Sequence, residues 1–177
     1  MTLLAGDGFV LRLLTGADVP MLARWRSDPR VSRWVEGPAD EEGVRAKYVA
    51  NPARAHITHA VAERDGEPVG YVQWYPCPPE YLAAAGLTGE EGVWALDVHL
   101  APERHDAGLG SRLVRLVASH LAATVARRVL IDPEAGNARA VRAYEKAGFR
   151  VVRPLPSYSV REGVARDNVL MAWEGEP

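Results

Sequence analysis

Apolar and polar positions alternate in short runs along much of this chain, and stripes at helical spacing separate those runs. Residues 9–14 are short and apolar enough for a strand. Thr15 follows as a helix N-cap, with Asp18 three residues on in place of the usual Glu of a capping box. Val19, Leu22 and Trp25 then recur at helical spacing, and Asp28-Pro29 closes that helix because a residue before proline disfavours helical geometry. A polar helix is expected over 40–50. Segments 56–63 and 69–75 flank Asp65-Gly66, a turn signal for two paired strands. Segment 76–89, rich in Pro, Ala and Gly, is expected to be a loop.

The strand over 93–100 carries the most information. Trp94, Leu96, Val98 and Leu100 share one face; Val93, Ala95, Asp97 and His99 share the other. One face is expected to be core. The other sets a carboxylate and an imidazole in a strand interior, where a structural role needs a partner. A helix follows, with Leu109, Leu113, Leu116, Val117 and Leu121 in one stripe. Residues 128–132 form a short strand, Asn137 caps a helix that stops at Gly148, and 149–155 and 168–173 finish as strands. This order predicts an α/β fold with a central mixed sheet flanked by helices.

The 177 residues suit a single domain, 1–177, that buries roughly 70% of its unfolded surface. Lys plus Arg number 21 against 23 Asp plus Glu, a net charge of -2 that argues against a nucleic-acid partner held by a broad basic surface. Nineteen of those 21 cations are arginine, a bias ascribed to GC-rich coding and not to an anionic ligand. Cys77 stands alone, which excludes an internal disulfide and a cysteine-cluster zinc site. His56 and His59 would lie on opposite faces of a strand, so no metal is expected. No run of 18 apolar residues occurs, and Asp7 interrupts the N-terminal segment, so a cytoplasmic protein with no membrane partner is expected.

Two constellations carry chemistry. Gly108-Leu109-Gly110 opens a helix directly after a strand and loop, where backbone amides and the helix dipole suit a diphosphate; a tight turn alone would also use glycine here. The loop lacks the Gly-Lys-Ser/Thr of a Walker A motif, since Ser111 and Arg112 follow Gly110. It also lacks the third glycine of a dinucleotide fingerprint. In the second constellation Asn137 and Tyr144, two helical turns apart, share a face that would present an amide and a phenol to one extended ligand, or serve as a cap and a buried ring.

These two motifs, in this order and about 30 residues apart, resemble those of the Gcn5-related N-acetyltransferase (GNAT) superfamily. Within it the chain looks most like the aminoglycoside 6'-N-acetyltransferases. The similar text is Asp-Gly-Glu-Pro-Val-Gly-Tyr-Val-Gln-Trp-Tyr at 65–75, Gly-Val-x-x-Leu-Asp at 92–97, Gly-Leu-Gly-x-x-Leu-Val-Arg at 108–115, and Asp-Pro-x-x-x-Asn-x-Arg-Ala-x-Arg-x-Tyr-Glu-Lys-Ala-Gly-Phe at 132–149. His105 stands where the superfamily often has Gln or Arg, and segment 76–89 departs from the family pattern.

The resemblance implies the GNAT acyl-CoA N-acyltransferase fold and acetyl transfer from acetyl-CoA to an amine. It implies that strand 93–100 splays from 128–132, with the pantetheine arm held by backbone groups of Leu96 and Val98. The diphosphate is expected on Arg104, His105, Asp106, Ala107, Gly108, Leu109, Gly110 and Ser111, with Asn137, Tyr144 and Lys146 also at the cofactor. Asp97 is the implied base, or an anion that anchors the ammonium; its ordinary pKa of about 3.9 is low for a base. His99, with an ordinary value near neutrality, is the rival. The Val98 amide is the implied oxyanion donor, and Tyr144 the acid for the leaving thiolate.

For the acceptor, the resemblance and the need for an acidic, aromatic cleft point to Trp34, Glu36, Tyr48, Gln73, Tyr75, Glu90, Glu91, Asp97 and Asp132. Asp40, Glu41 and Glu42 either line that cleft or form a solvated helix start. The expected partner is a small-molecule amine, an aminoglycoside, and the expected state a monomer or weak homodimer. Acylation of a siderophore lysine side chain or a protein N-terminus, and a non-catalytic acyl-CoA sensor, are the alternatives.

Overall fold

In this computed structural model, which describes residues 1–175, eight strands and six helices form; the last two residues of the expected 1–177 domain lie outside the described residues. The strands are β1 (Thr2–Gly6), β2 (Phe9–Leu13), β3 (Thr58–Arg64), β4 (Glu67–Pro76), β5 (Val93–Leu100), β6 (Arg128–Ile131), β7 (Phe149–Arg161) and β8 (Val164–Trp173). The helices are α1 (Val19–Ser27), α2 (Pro29–Ser32), α3 (Glu41–Tyr48), α4 (Pro79–Ala85), α5 (Leu109–Thr124) and α6 (Ala138–Ala147). The sheet order is β1-β2-β3-β4-β5-β6-β8-β7, with β5 and β6 parallel. This is the expected mixed sheet.

Asp65 and Gly66 both take positive φ (52° and 78°), the turn whose twist matches that of paired strands, and they join β3 to β4 as the sequence indicates. The same acidic-residue–glycine pair turns β1 into β2 at Asp7-Gly8 and β7 into β8 at Glu162-Gly163. The sequence pattern did not predict β1 or the stretch of β7 and β8 next to their turn. Both are largely exposed, so they lack the apolar alternation that marks a half-buried strand.

Segment 76–89 is not only loop. It contains α4, with Pro79 in the first turn, where a missing N–H costs nothing, and Gly86 in the left-handed stop. Tyr81 and Ala85, four residues apart, turn one face inward. Asp28 does end α1, and its carboxylate then caps α2 by accepting from the Arg30 N–H.

The chain divides into two compact units, 1–74 with 97–113 and 75–96 with 114 onward; β5 and α5 run through both. In the first unit Val19, Leu22 and Trp25 of α1 pack with Val44 and Tyr48 of α3, Tyr71 of β4 and Ala101. Val19, Leu22 and Val44, fully buried, each contribute about 1.5–3 kcal/mol. Asp18, at the head of α1, accepts two bonds from Arg12 (2.8 and 2.9 Å) and one each from the Thr15 N–H and hydroxyl (2.8 and 2.9 Å). Burial pushes the Asp18 carboxyl up, but the Arg12 and Thr15 bonds outweigh this and hold it below the ordinary range. Its stabilisation is therefore present above the ordinary carboxylate pKa and lost as pH falls through the lowered one. Asp18→Ala is expected to cost about 2 kcal/mol in urea unfolding at pH 7 and less in acid; an equal cost at both pH values would contradict the ion-pair account. In the second unit Tyr81 and Ala85 of α4 pack with Val93, Ala95, Leu130, Leu155 and Leu170. No helix among the described residues is long and apolar enough to cross a membrane.

Candidate active site

Strand register brings the site's polar side chains together. A bulge between Ala62 and Glu63 shifts β3 by one residue, so that His59 faces Gln73 on β4. The Ala101 N–H bonds the Val69 carbonyl, which fixes the start of the β4–β5 ladder and, four residues along each strand, sets Gln73 opposite Asp97. His59, Gln73 and Asp97 thus form one cross-strand row, with Tyr71 and His99 in the next. Gln73 Nε2 donates to Asp97 Oδ2 (2.6 Å), the Tyr71 hydroxyl donates to Gln73 Oε1 (2.8 Å), and His59 Nδ1 lies 2.6 Å from the Tyr71 oxygen. Asp97 is half-buried.

His99 is not the base. It is buried, stacked on Tyr71 (5.2 Å between ring centroids) and edge-on to Trp25 (6.3 Å). Burial, with the Arg26 charge adding to it, lowers its pKa to about 3, so it is neutral at pH 7. The expectation of one apolar and one polar face on β5 is corrected in the same way. Val93, Ala95 and His99 are buried on the face of Asp97, as Leu96 is on the other; helices cover that face too, and of its four residues only Asp97 is more exposed.

Beside this row a cavity of about 460 Å³ is lined by Lys47, Tyr48, Arg54, Ile57 and His59, among others. None of its lining residues is acidic. Tyr48 meets the His59 and Tyr71 rings edge-on, and Lys47 and Arg26 sit 5.2 Å from its ring centre. Burial, then Arg26 and Arg54, lower the Lys47 pKa.

The expected diphosphate loop leaves β5 through a 3-10 turn at Pro102–Arg104, and Arg30 donates to the Pro102 carbonyl (3.1 Å). Arg104, Asp106, Ala107 and Gly108 are exposed; His105, Gly110 and Ser111 are half-buried. Gly108 has φ +71°, a conformation that favours glycine. Gly110 has no such need, and a Cβ there would meet only Leu100 Cδ1, at 3.7 Å. The protein's own packing therefore does not require a glycine at 110, and the open approach to the first amides of a 16-residue helix fits a diphosphate. No acidic residue stands in the first turn of α5 to oppose an anion.

The β5–β6 register runs from Val93↔Arg128 to Ala95↔Leu130 and ends there, while β6 continues to Ile131 and β5 to Leu100. Leu96 and Val98 lie beyond the last pair of this register. Asn137 Oδ1 caps α6 by accepting from the Ala140 N–H (3.2 Å). Tyr144 is buried, its ring tilted 6.4 Å from Phe149, and Lys146 is exposed.

The acetyltransferase (GNAT) domain family matches residues 15–156 of this chain. The chain belongs to the GNAT acetyltransferase family. Aminoglycoside N(6')-acetyltransferase type 1 of Klebsiella pneumoniae is 32% identical to this GNAT protein over 160 residues, covering 82% of this chain and 75% of that one. Among solved structures, AAC(6')-Ib in complex with ribostamycin and coenzyme A superposes with TM-score 0.74 at 29% identity, over 94% of this chain and 93% of that one. Aminoglycoside acetyltransferase AAC(6')-Ib with coenzyme A and kanamycin gives TM-score 0.72 at 28% identity, over 93% of each chain.

Each acidic residue of this GNAT chain has its own local setting. Asp40 caps α3 by accepting from the Gly43 N–H, and Glu41 and Glu42 are exposed in its first turn, the solvated helix start. Glu36 is exposed, and its carbonyl accepts from Arg26; Trp34 is half-buried. Glu90 pairs with Arg128 (3.2 Å), which offsets its charge, and Glu91 is exposed. Asp132, just past β6, has a built setting: its Oδ1 accepts from the Tyr81 hydroxyl (3.1 Å), and Tyr81 meets Tyr158 edge-on. Tyr75 packs against the same cluster. Burial and Asp132 push the Tyr81 pKa far up, so it keeps its proton. Tyr81 and Tyr158 are not marked by the sequence pattern, because α4 reads as loop by composition and the far end of β7 is exposed and lacks apolar alternation. Nor are His59 and Tyr71, because the bulge hides their register.

Proposed function

We propose that this protein is an acetyl-CoA-dependent N-acetyltransferase acting on the 6'-amine of aminoglycosides, with 1–177 as one acetyltransferase domain. The observation that carries the mechanism is the half-buried Asp97 carboxylate, held at one oxygen by Gln73 on the strand next to the open Gly108–Gly110 helix start. Support for the acceptor class comes from the near full-length relationship to aminoglycoside 6'-N-acetyltransferases.

In this reading the diphosphate rests on amides from Arg104 to Ser111, and Leu96, Val98, Asn137, Tyr144 and Lys146 hold the rest of the cofactor. Bound acetyl-CoA supplies an acetyl thioester activated for attack by an amine. Asp97 anchors the ammonium and takes its proton, while Gln73 holds the carboxylate at Oδ2. The Tyr144 hydroxyl gives a proton to the departing thiolate. The residues assigned to the acceptor in this reading are Trp34, Glu36, Tyr48, Gln73, Tyr75, Glu90, Glu91 and Asp132. The enzyme works in the cytoplasm as a monomer or weak homodimer, on a small molecule and with no membrane or nucleic-acid partner.

One observation favours a second reading. Lys47 and Arg54 line the cavity beside the Asp97 row, and cations there suit an amine that also carries a carboxylate, such as a siderophore lysine. A thiol-release assay with acetyl-CoA and a panel of amines decides. Kanamycin and tobramycin, which carry a 6'-amine, are expected to be turned over, and analogues with a 6'-hydroxyl are not. Equal turnover of both classes sinks the 6' assignment. Turnover of lysine alone establishes the second reading.

A further inference from the structure

We infer that His59 and Tyr71 are positioning residues for Asp97: through Gln73 they fix which end of the amide meets the carboxylate, and so how the carboxylate is held. The inference rests on the acetyl-transfer reading and concerns two side chains which that reading does not use.

The direction of the chain follows from its last member. An ionised carboxylate only accepts, so Gln73 must turn Nε2 toward Asp97, and Oε1 then faces Tyr71. The Tyr71 hydroxyl must donate to that oxygen. Only acceptor lone pairs remain on the phenol, so the proton between Tyr71 and His59 belongs to His59 Nδ1. Burial, with Arg54 and Lys47 adding to it, lowers the His59 pKa to about 4. The ring is therefore neutral at pH 7 with a single N–H, and Nε2 carries a lone pair. Nε2 is buried and meets no hydrogen-bond partner among the described residues, which would leave a proton there unsatisfied. Each group in the row thus has one role compatible with its neighbours.

The row also has a reason to exist. The terminal torsion of a glutamine is broad and roughly two-fold, so an unanchored Gln73 would present either end of its amide to Asp97. With Oε1 turned inward the amide would repel the carboxylate. Tyr71 removes that choice, and His59 prevents the Tyr71 hydroxyl from turning away. The rings are clamped in turn: Tyr48 meets His59 and Tyr71 edge-on at 5.5 and 5.6 Å, and His99 stacks on Tyr71.

The test measures kcat and KM for Tyr71→Phe and His59→Leu, each alone and combined with Asp97→Asn. Each single change is expected to lower kcat about tenfold or more, the worth of a hydrogen bond to a charged group, with KM for acetyl-CoA unchanged. His59→Asn, whose amide nitrogen can stand in for Nδ1, is expected to recover most of the loss. Combined with Asp97→Asn, neither change is expected to lower kcat further, since the group they position has lost its role. Equal losses in both backgrounds, or an unchanged kcat in His59→Leu, overturn the inference.

Nitrogen-15 NMR of the His59 ring gives a readout independent of turnover. The proton is expected on Nδ1 in the wild type and on Nε2 in Tyr71→Phe. A wild-type Nε2–H ring overturns the inference. Wild-type protein with the Nδ1 proton but no transfer to any amine counts against the proposed function and leaves the row as described.

Discussion

Asp97→Asn is expected to lower kcat/KM for the amine by about 10²–10⁴, the range typical for loss of a general base. Binding of acetyl-CoA is expected to be unchanged. Asparagine keeps the shape of the side chain but removes the charge that anchors the ammonium and the oxygen that takes its proton. The Gln73 Nε2 donor can still bond the amide oxygen, so local packing survives. Cofactor binding is assigned to backbone groups, the Gly108–Gly110 helix start and Asn137, Tyr144 and Lys146, none of which the change alters. His99→Gln, by contrast, replaces a buried neutral ring and is expected to act on stability more than on the pH-independent rate. Initial rates for both variants separate the two histories. A near wild-type Asp97→Asn beside an inactive but folded His99→Gln would place the chemistry on the wrong residue of the right face.

The second large effect concerns the cofactor. Saturating CoA, at about 100 times its dissociation constant, stabilises a folded protein by about 2.7 kcal/mol. For a chain of this size that is a rise in Tm of about 5–10 °C. Gly110→Val is expected to abolish the rise while leaving the ligand-free Tm nearly unchanged. A Cβ at 110 meets only the end of the Leu100 side chain, at 3.7 Å, so folding has little to lose, whereas a diphosphate seated on these amides would collide with the new side chain. Gly108 is a poorer probe, because its φ of +71° would strain any replacement even without a ligand. A variant that melts like the wild type and keeps its full CoA shift would move the anion site away from this loop.

Much of this arrangement was legible in the residues, and the illegible parts have physical causes. Asn137 and Gly148 mark the ends of α6 because cap chemistry is local. Asp97 stood out because strand alternation needs no tertiary information. The row that supports Asp97 was hidden by a single extra residue. Counted back from the Asp65-Gly66 turn without a bulge, His59 would face Val72 and point away from Gln73; the bulge at Ala62/Glu63 reverses this. Helix α4 was hidden because proline, alanine and glycine read as loop by composition, although Pro79 and Gly86 sit where a short helix uses them. The settings of the acids were illegible for a different reason. Charge on a residue does not tell whether it meets an arginine, as Glu90 does, or a tyrosine hydroxyl, as Asp132 does.

The most direct test of the whole account is the position of the acetyl group on product. Kanamycin incubated with the protein and acetyl-CoA is expected to gain one acetyl group by mass, and NMR of the purified product is expected to place it on the 6'-nitrogen. Acetylation at another amine, or kanamycin recovered unchanged while a carboxylate-bearing amine is acetylated, would contradict it.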